Sequence, residues 1–203
     1  MTTEYWSNIA NQDDNNKPEK YLLENCKIAP ILNFKNDIDK IKDNIILHEI
    51  GCNVGKNLVY LRNNYKNIKL SGNDINSEAI NLGLKKYWNN NEIYLDDTFN
   101  FINNMNKNNK KIDILISMAH LEHIPPLIFN KIAKLIPKIC NKLYLYEIYN
   151  LDIKDESNEI QPTLRKIDQN WGIWQHPYIH YFGKPCVCEK INEDYYKFIF
   201  KFN

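Results

Sequence analysis

Gly51, Gly55 and Asp74 have the types and spacing that first suggest chemistry in this chain. An apolar run, Ile45-Ile46-Leu47-His48-Glu49-Ile50, ends in an acidic pair partner and breaks into Gly51-Cys52-Asn53-Val54-Gly55, after which a helical pattern begins. A second run, Ile68-Lys69-Leu70-Ser71-Gly72-Asn73, closes on Asp74. Strand, glycine turn, helix, strand and acid in that order lay out a nucleotide-type ligand site, in which glycines let the backbone approach the ligand and the acid holds a ribose diol. The spacing argues against two phosphate-binding variants. A dinucleotide fingerprint from Gly51 needs glycines where Asn53 and Lys56 stand, and a P-loop needs four residues between its glycines and Ser or Thr after the lysine. Here three residues separate the glycines and Asn57 follows Lys56. What remains is Glu-x-Gly-x-x-x-Gly, a turn less suited to cradling phosphate.

A second group of candidates follows the apolar run Ile112–Ile116. If Ser117–His123 turns helical, His120 and His123 fall on one face at i, i+3. Two imidazoles and Glu122 just past a strand end are suitable material for a general base that takes a proton from an attacking hydroxyl. The competing reading has Leu121 and Ile124 packing inward while the polar groups satisfy backbone. A third group is the aromatic stretch Trp171-Gly172-Ile173-Trp174-Gln175-His176-Pro177-Tyr178-Ile179-His180-Tyr181-Phe182. Aromatics at this density either form core or, as Trp171, Trp174, His176 and Tyr178, offer stacking faces and imidazole to a sugar or other polyhydroxyl substrate. Cys186 and Cys188 share one face of a strand, but no second Cys or His pair lies at finger-like spacing, so they read as structural thiols.

The turn resembles motif I of the class I S-adenosylmethionine-dependent methyltransferases, and the likeness runs over residues 40–150. Asp74-Ile75-Asn76 resembles the acidic end of their second strand, and Asp96-Asp97-Thr98 the adenine-side turn after their third. Ile112–Pro125 looks like their fourth strand running into Leu121-Glu122-His123-Ile124-Pro125. Asn53 stands where that family more often has glycine, and a short polar residue tolerates left-handed backbone angles better than most. The resemblance implies S-adenosyl-L-methionine as cofactor and S-adenosyl-L-homocysteine as product. It also implies cofactor contacts at Glu49, Gly51, Cys52, Asn53, Gly55, Asp74, Ile75, Asp97, Thr98 and Ser117, with Glu49 orienting the loop and either Asp96 or Asp97 facing the adenine amine. Glu122-His123 is similar to part of the metal-ligand set of ubiquinone-type O-methyltransferases. The third carboxylate of that set would fall at Ala119, so no metal is expected. The family's His-Asp-Tyr pattern meets Pro177 in place of the acid.

Elements must position these groups. Short apolar runs alternating with amphipathic stretches predict strands at 45–50, 68–73, 92–95, 112–117 and 142–147, and helices near 55–65, 77–88, 98–106 and 126–136. Ser77 followed by Glu78 reads as a helix start, and Pro125-Pro126 sits where a first turn tolerates proline. Pro18 to Phe34 reads as one amphipathic helix anchored by Tyr21, Leu22, Ile28 and Leu32, while 7–17 and 150–160 are polar and expected to be mobile. Cys186–Ile191 and Tyr195–Phe202 around Asn192-Glu193-Asp194 predict a hairpin. The expected fold is α/β, a Rossmann-like doubly wound, mainly parallel sheet with a C-terminal antiparallel hairpin. One domain would span 1–203, with 1–35 as an N-terminal helical cap and 150–185 as a substrate-side insertion.

Composition narrows the partners. A chain of 203 residues with 43% hydrophobic and 25% charged residues suits one globular domain. A net charge of +1 and a pI near 7.6 carry no electrostatic footprint for nucleic acid. No apolar run is long enough to span a bilayer, and Met1–Trp6 has no signal-peptide character. Five cysteines, an odd number, fit reduced thiols in a cytoplasmic setting. The sequence therefore predicts a methyltransferase acting on a small molecule or glycan precursor, with oxygen favoured over nitrogen because no Asn/Asp-Pro-Pro-Tyr motif is present. The alternatives are a non-catalytic S-adenosylmethionine-binding regulatory protein and an RNA or protein methyltransferase. A nucleotide oxidoreductase ranks last on its glycine spacing.

Overall fold

The computed structural model describes residues 17–22, 30–41, 44–89, 92–149, 162–166 and 172–202. Seven strands form one sheet in the order β3-β2-β1-β4-β5-β9-β8. They are β1 (Ile45–Ile50), β2 (Ile68–Asp74), β3 (Ile93–Leu95), β4 (Ile112–Met118), β5 (Cys140–Ile148), β8 (Val187–Lys190) and β9 (Tyr195–Lys201). The first five pair in parallel, and β9 runs antiparallel to both β5 and β8. β1 lies between β2 and β4, with Glu49 beside Gly72 and Ile116, so its backbone is paired on both edges. The chain winds from β1 outward to β3, then crosses back to β4 on the other side of β1. That reversal opens a crevice beyond the carboxyl ends of β1 and β4, where open α/β sheets take ligands.

Alternation along the strands divides the apolar residues between the two faces. On β9, Tyr196, Phe198 and Phe200 join one buried cluster while Ile199 joins the other. The first cluster lies under α4 (Thr98–Lys107) and α5 (Pro126–Ile139), through Phe101, Ile102, Phe129, Ile132 and Ile136. The second lies under α2 (Lys56–Asn64) and α3 (Ser77–Lys86), through Leu58, Leu61 and Ile80. The helices that follow β2 and β3 are capped by side chains: Asn76 accepts from Glu78 N and Ala79 N, and Asp97 accepts from Asn100 N. Helix α5 runs through Pro137 to Ile139, three residues past its expected end, and stops at the start of β5.

The N-terminal segment differs from the expected single helix. Its described parts are two 3₁₀ turns, Pro18–Tyr21 and Pro30–Phe34, the second leading into the short helix α1 (Lys35–Ile38). Pro30 cannot donate the helical hydrogen bond, and the tighter winding changes which side chains face inward. Leu22, Ile31, Phe34 and Ile38 are buried, whereas Tyr21 and Leu32, expected as anchors, lie at the surface. Ile28 falls outside the described residues, as do 7–16 and 150–160. Lys197 Nζ meets Asp37 Oδ2 at 2.7 Å and lies over the Phe34 ring, tying α1 to β9. The region after β5 holds a hairpin of its own that the sequence reading lacked, β6 (Thr163–Lys166) with β7 (Gly172–Gln175), followed by the short helix α6 (Tyr178–Phe182).

Candidate cofactor site

The glycine turn rests on positive backbone angles: φ is +67° at Gly51, +52° at Asn53 and +79° at Gly55. A Cβ on Gly51 would overlap the His120 ring, and one on Gly55 would overlap the Trp88 indole. Asn53 takes its left-handed angle as a non-glycine, helped by its own side chain, whose Oδ1 accepts from Val54 N at 2.8 Å. The turn is tied to β2 twice: Cys52 N donates to Asn73 O at 3.0 Å, and Asn53 N donates to Asp74 Oδ2 at 2.8 Å. Asp74 is therefore not the cap of α3. Its second oxygen accepts from Asn76 N at 2.8 Å, and Asn76 does the capping. A carboxylate offers about four acceptor positions. Two backbone donors leave one on each oxygen, the arrangement a vicinal diol requires.

Glu49 is 1% exposed, with Oε1 accepting from Asn57 Nδ2 at 2.6 Å, which joins the end of β1 to α2. Its Oε2 is buried without a hydrogen-bond partner among the described residues. Burial pushes the Glu49 carboxyl up to about 8, against the pull of Asn57 and Lys56. Two other expected contacts are corrected. The Cys52 thiol points into the core over Gly72, where burial holds it well above the usual thiol range. Ser117 is fully buried, and its hydroxyl donates to Glu147 Oε1 at 2.6 Å, because residue 117 falls on the inward side of β4. Ile75 is half-buried in the bend beside Asp74.

On the adenine side, Asp97 serves as the helix cap and Asp96 closes on its own turn, accepting from Asp97 N. Burial, ahead of its other influences, raises the Asp96 carboxyl above its ordinary value. Thr98 Oγ1 lies 2.7 Å from His120 Nε2. The His120 ring is thus wedged between Gly51 and Thr98, spanning the two turns expected to hold the cofactor. His48, absent from the sequence-derived candidates, lies near the end of β1. It is 1% exposed, stacks on Phe101 at 3.9 Å, and bonds Ser71 Oγ and Asn73 Oδ1, each at 2.8 Å.

The loop after β4 forms a 3₁₀ turn, Leu121–His123, with Ala119 at φ +54°. Glu147, at the end of β5, was also missed, and it organises the loop. Its Oε1 accepts from Ser117 Oγ, His120 N and Leu121 N, and its Oε2 from Glu122 N. Glu122 returns the contact, accepting from Ile148 N at 3.2 Å and from Tyr195 OH at 3.2 Å. Burial raises both carboxyls, Glu122 to about 8 and Glu147 to about 7, and the neighbouring Glu147 charge raises Glu122 further. His123 Nε2 lies 3.7 Å from Glu122 Oε1. Burial lowers the His123 imidazole to about 3, with His120 nearby adding to the effect, and it lowers His120 as well.

The aromatic segment divides. Tyr178 is fully buried in the cluster under α5, among Phe129, Tyr149 and Phe198. His176 is 1% exposed, stacks on Phe129 at 3.8 Å and donates from Nε2 to Ile124 O at 2.9 Å. Substrate contact by these two is corrected to core packing: α6 packs on α5, and both rings close on Phe129. Trp174 is half-buried on β7, which packs on the Leu121–His123 turn. Trp171 lies outside the described residues. Cys186 and Cys188 are exposed free thiols on the sheet edge.

Strand order, switch-point crevice and the acid at the end of β2 together define the class I methyltransferase fold. Solved structures agree. A SAM-dependent methyltransferase from Anabaena variabilis superposes with a TM-score of 0.66 at 12% identity, covering 99% of this chain and 95% of that one. Magnesium protoporphyrin IX methyltransferase (ChlM) from Synechocystis with bound SAM gives 0.61 at 11% identity, covering 100% and 98%. The N-terminal domain of EvdMO1 with SAH bound gives 0.61 at 10% identity, covering 86% and 82%. No family model matches the chain, and no curated protein does. No helix among the described residues is long and apolar enough to cross a membrane.

Proposed function

We propose that this chain is an S-adenosylmethionine-dependent methyltransferase acting on an oxygen of a small molecule. The observation that carries the reading is the Asp74 carboxylate at the switch-point crevice, which holds the glycine turn through Asn53 N and keeps an acceptor position on each oxygen. The cofactor supplies an already activated methyl group, so the protein must align the two centres and manage one proton. In this reading Asp74 takes the ribose hydroxyls, the Asp96–Thr98 turn borders the adenine, and His120 walls the pocket between Gly51 and Thr98. His123, whose Nε2 lies 3.7 Å from Glu122 Oε1, is the proposed proton acceptor. Residues 1–35 and 150–185 are proposed to supply the acceptor side, supported by the packing of β7 on the Leu121–His123 turn. The burial of His176 and Tyr178 removes two stacking faces from a sugar site and leaves the acceptor class broader than glycans.

Calorimetry with S-adenosylhomocysteine tests the cofactor assignment. The wild-type chain should bind, and Asp74→Ala should lose about 1.5–3 kcal/mol, roughly tenfold or more, as charge-assisted bonds disappear. No binding by the wild type sinks the reading; unchanged affinity in the variant removes Asp74 from the ribose.

A further inference from the structure

Asn73 is fully buried near the end of β2, where an apolar side chain would fit the surrounding core without the cost of burying an amide. It spends its hydrogen-bonding groups on three different elements. Its backbone O accepts from Cys52 N in the glycine turn at 3.0 Å, and its Nδ2 donates to Asp96 O in the turn after β3 at 2.9 Å. Its Oδ1 faces His48 Nε2 at 2.8 Å. The donor pattern is determined without ambiguity. A backbone carbonyl only accepts, so the amide nitrogen must face Asp96 O and the amide oxygen must face His48. His48 therefore carries its proton on Nε2, and its Nδ1 accepts from Ser71 Oγ. The imidazole is held flat by Phe101, on the helix that Asp97 caps, with only 9° between the rings. Asp96 N in turn donates to Asp74 O at 3.1 Å, closing the connection between the two turns.

We infer that Asn73, oriented by His48, is a positioning residue that holds the Gly51–Gly55 turn and the Asp96–Thr98 turn in register for the adenosine half of the ligand. This rests on the cofactor reading above. A largely buried polar network adds little net stability over apolar packing, and what it adds is geometry. Neither residue touches the reacting atoms.

The test separates positioning from stability by comparing Asn73→Leu with the double variant His48→Phe/Asn73→Leu. The single change leaves His48 Nε2 and Asp96 O unpaired and should lower both the melting temperature and ligand affinity. The double change makes the His48–Asn73 contact apolar and leaves only Asp96 O without its donor, so the melting temperature should recover part of the way toward wild type. Affinity for S-adenosylhomocysteine should nevertheless stay down by about fivefold or more. The same factor should appear with 5′-methylthioadenosine, which carries the adenosine half without the amino acid. Affinity that returns together with the melting temperature would overturn the inference, as would a loss seen with S-adenosylhomocysteine but not with methylthioadenosine. If the single variant does not fold, Ser71→Ala, which removes only the Nδ1 partner, should give a smaller loss of the same kind for both ligands, and unchanged affinity there also counts against it. Failure of the wild type to bind S-adenosylhomocysteine would instead overturn the underlying cofactor reading.

Discussion

Glu49 brings a carboxyl into the core at the base of the glycine turn, with one oxygen on Asn57 and the other without a partner among the described residues. Burial raises it to about 8, so the folded chain holds this proton more tightly than the unfolded chain does. A raised acid contributes stability that is complete below its ordinary value and is lost as pH climbs through the folded value. Between pH 6 and 9 the Glu49 contribution should fall by about 2 kcal/mol. Glu49→Gln keeps the shape, carries no titrating proton, and should flatten the pH dependence of urea unfolding over that range. An equally steep profile in the variant would show that the carboxyl is ionised at neutral pH. Gly51 answers to geometry rather than titration. At φ +67° and against the His120 ring, Gly51→Ala should destabilise the chain by about 1–3 kcal/mol and displace the imidazole from Thr98. A thermal melt combined with imidazole NMR would check both effects.

At the scale of elements, the loop after β4 is held by the strand beside it. β5 contributes Glu147, which collects Ser117 Oγ and three successive backbone N–H groups, while Glu122 on the loop collects Ile148 N from β5. Each carboxyl thus secures the other's backbone, and the 3₁₀ turn bearing His123 inherits its position from that exchange. Glu147→Ala would leave four donors without their acceptor, at about 1–3 kcal/mol for each that stays buried. A loss above about 3 kcal/mol in chemical denaturation is expected, with hydrogen-exchange protection at His120–Glu122 falling further than at β4. Glu147→Gln retains an oxygen and should lose less. Equal losses in the two variants would mean that packing volume, not hydrogen bonding, holds the loop.

For the whole molecule, two sets of buried groups titrate in opposition. His48 and His176 are lowered to about 4 and His123 to about 3, each first by burial. Groups lowered in this way favour folding above the ordinary histidine value and withdraw that stability as pH falls toward the folded value. Glu49 and Glu122, raised to about 8, and Glu147, raised to about 7, withdraw theirs as pH rises. Between the ordinary carboxyl and histidine values the two slopes oppose one another. Melting temperature should therefore peak at about pH 5–6.5 and decline by pH 8.5. A maximum above pH 8 would contradict the burial of these carboxyls in their protonated form.

The sequence by itself determined the strand and helix succession from β1 to β5 and the closing hairpin, because periodicity and punctuation are local: Ile45–Ile50, the turn at Gly51 and Gly55, and the helix start at Ser77 lie where residue types require them. It also located Asp74, since an acid closing a strand after a glycine turn is a pattern within one short stretch. Tertiary structure alone decided what each polar group bonds. Ser117 was expected at the crevice, but the inward side of β4 turns it onto Glu147, a residue 30 positions away in sequence. His48 and Asn73 read as ordinary members of apolar runs until β1 and β2 pair and set them 2.8 Å apart. His176 and Tyr178 offered stacking faces on paper, and the packing of α6 and the residues before it on Phe129 of α5 buried them. Periodicity specifies which way a side chain points along its own element, but hydrogen-bond partners and burial depend on which elements pack against it, and that is set by long-range pairing.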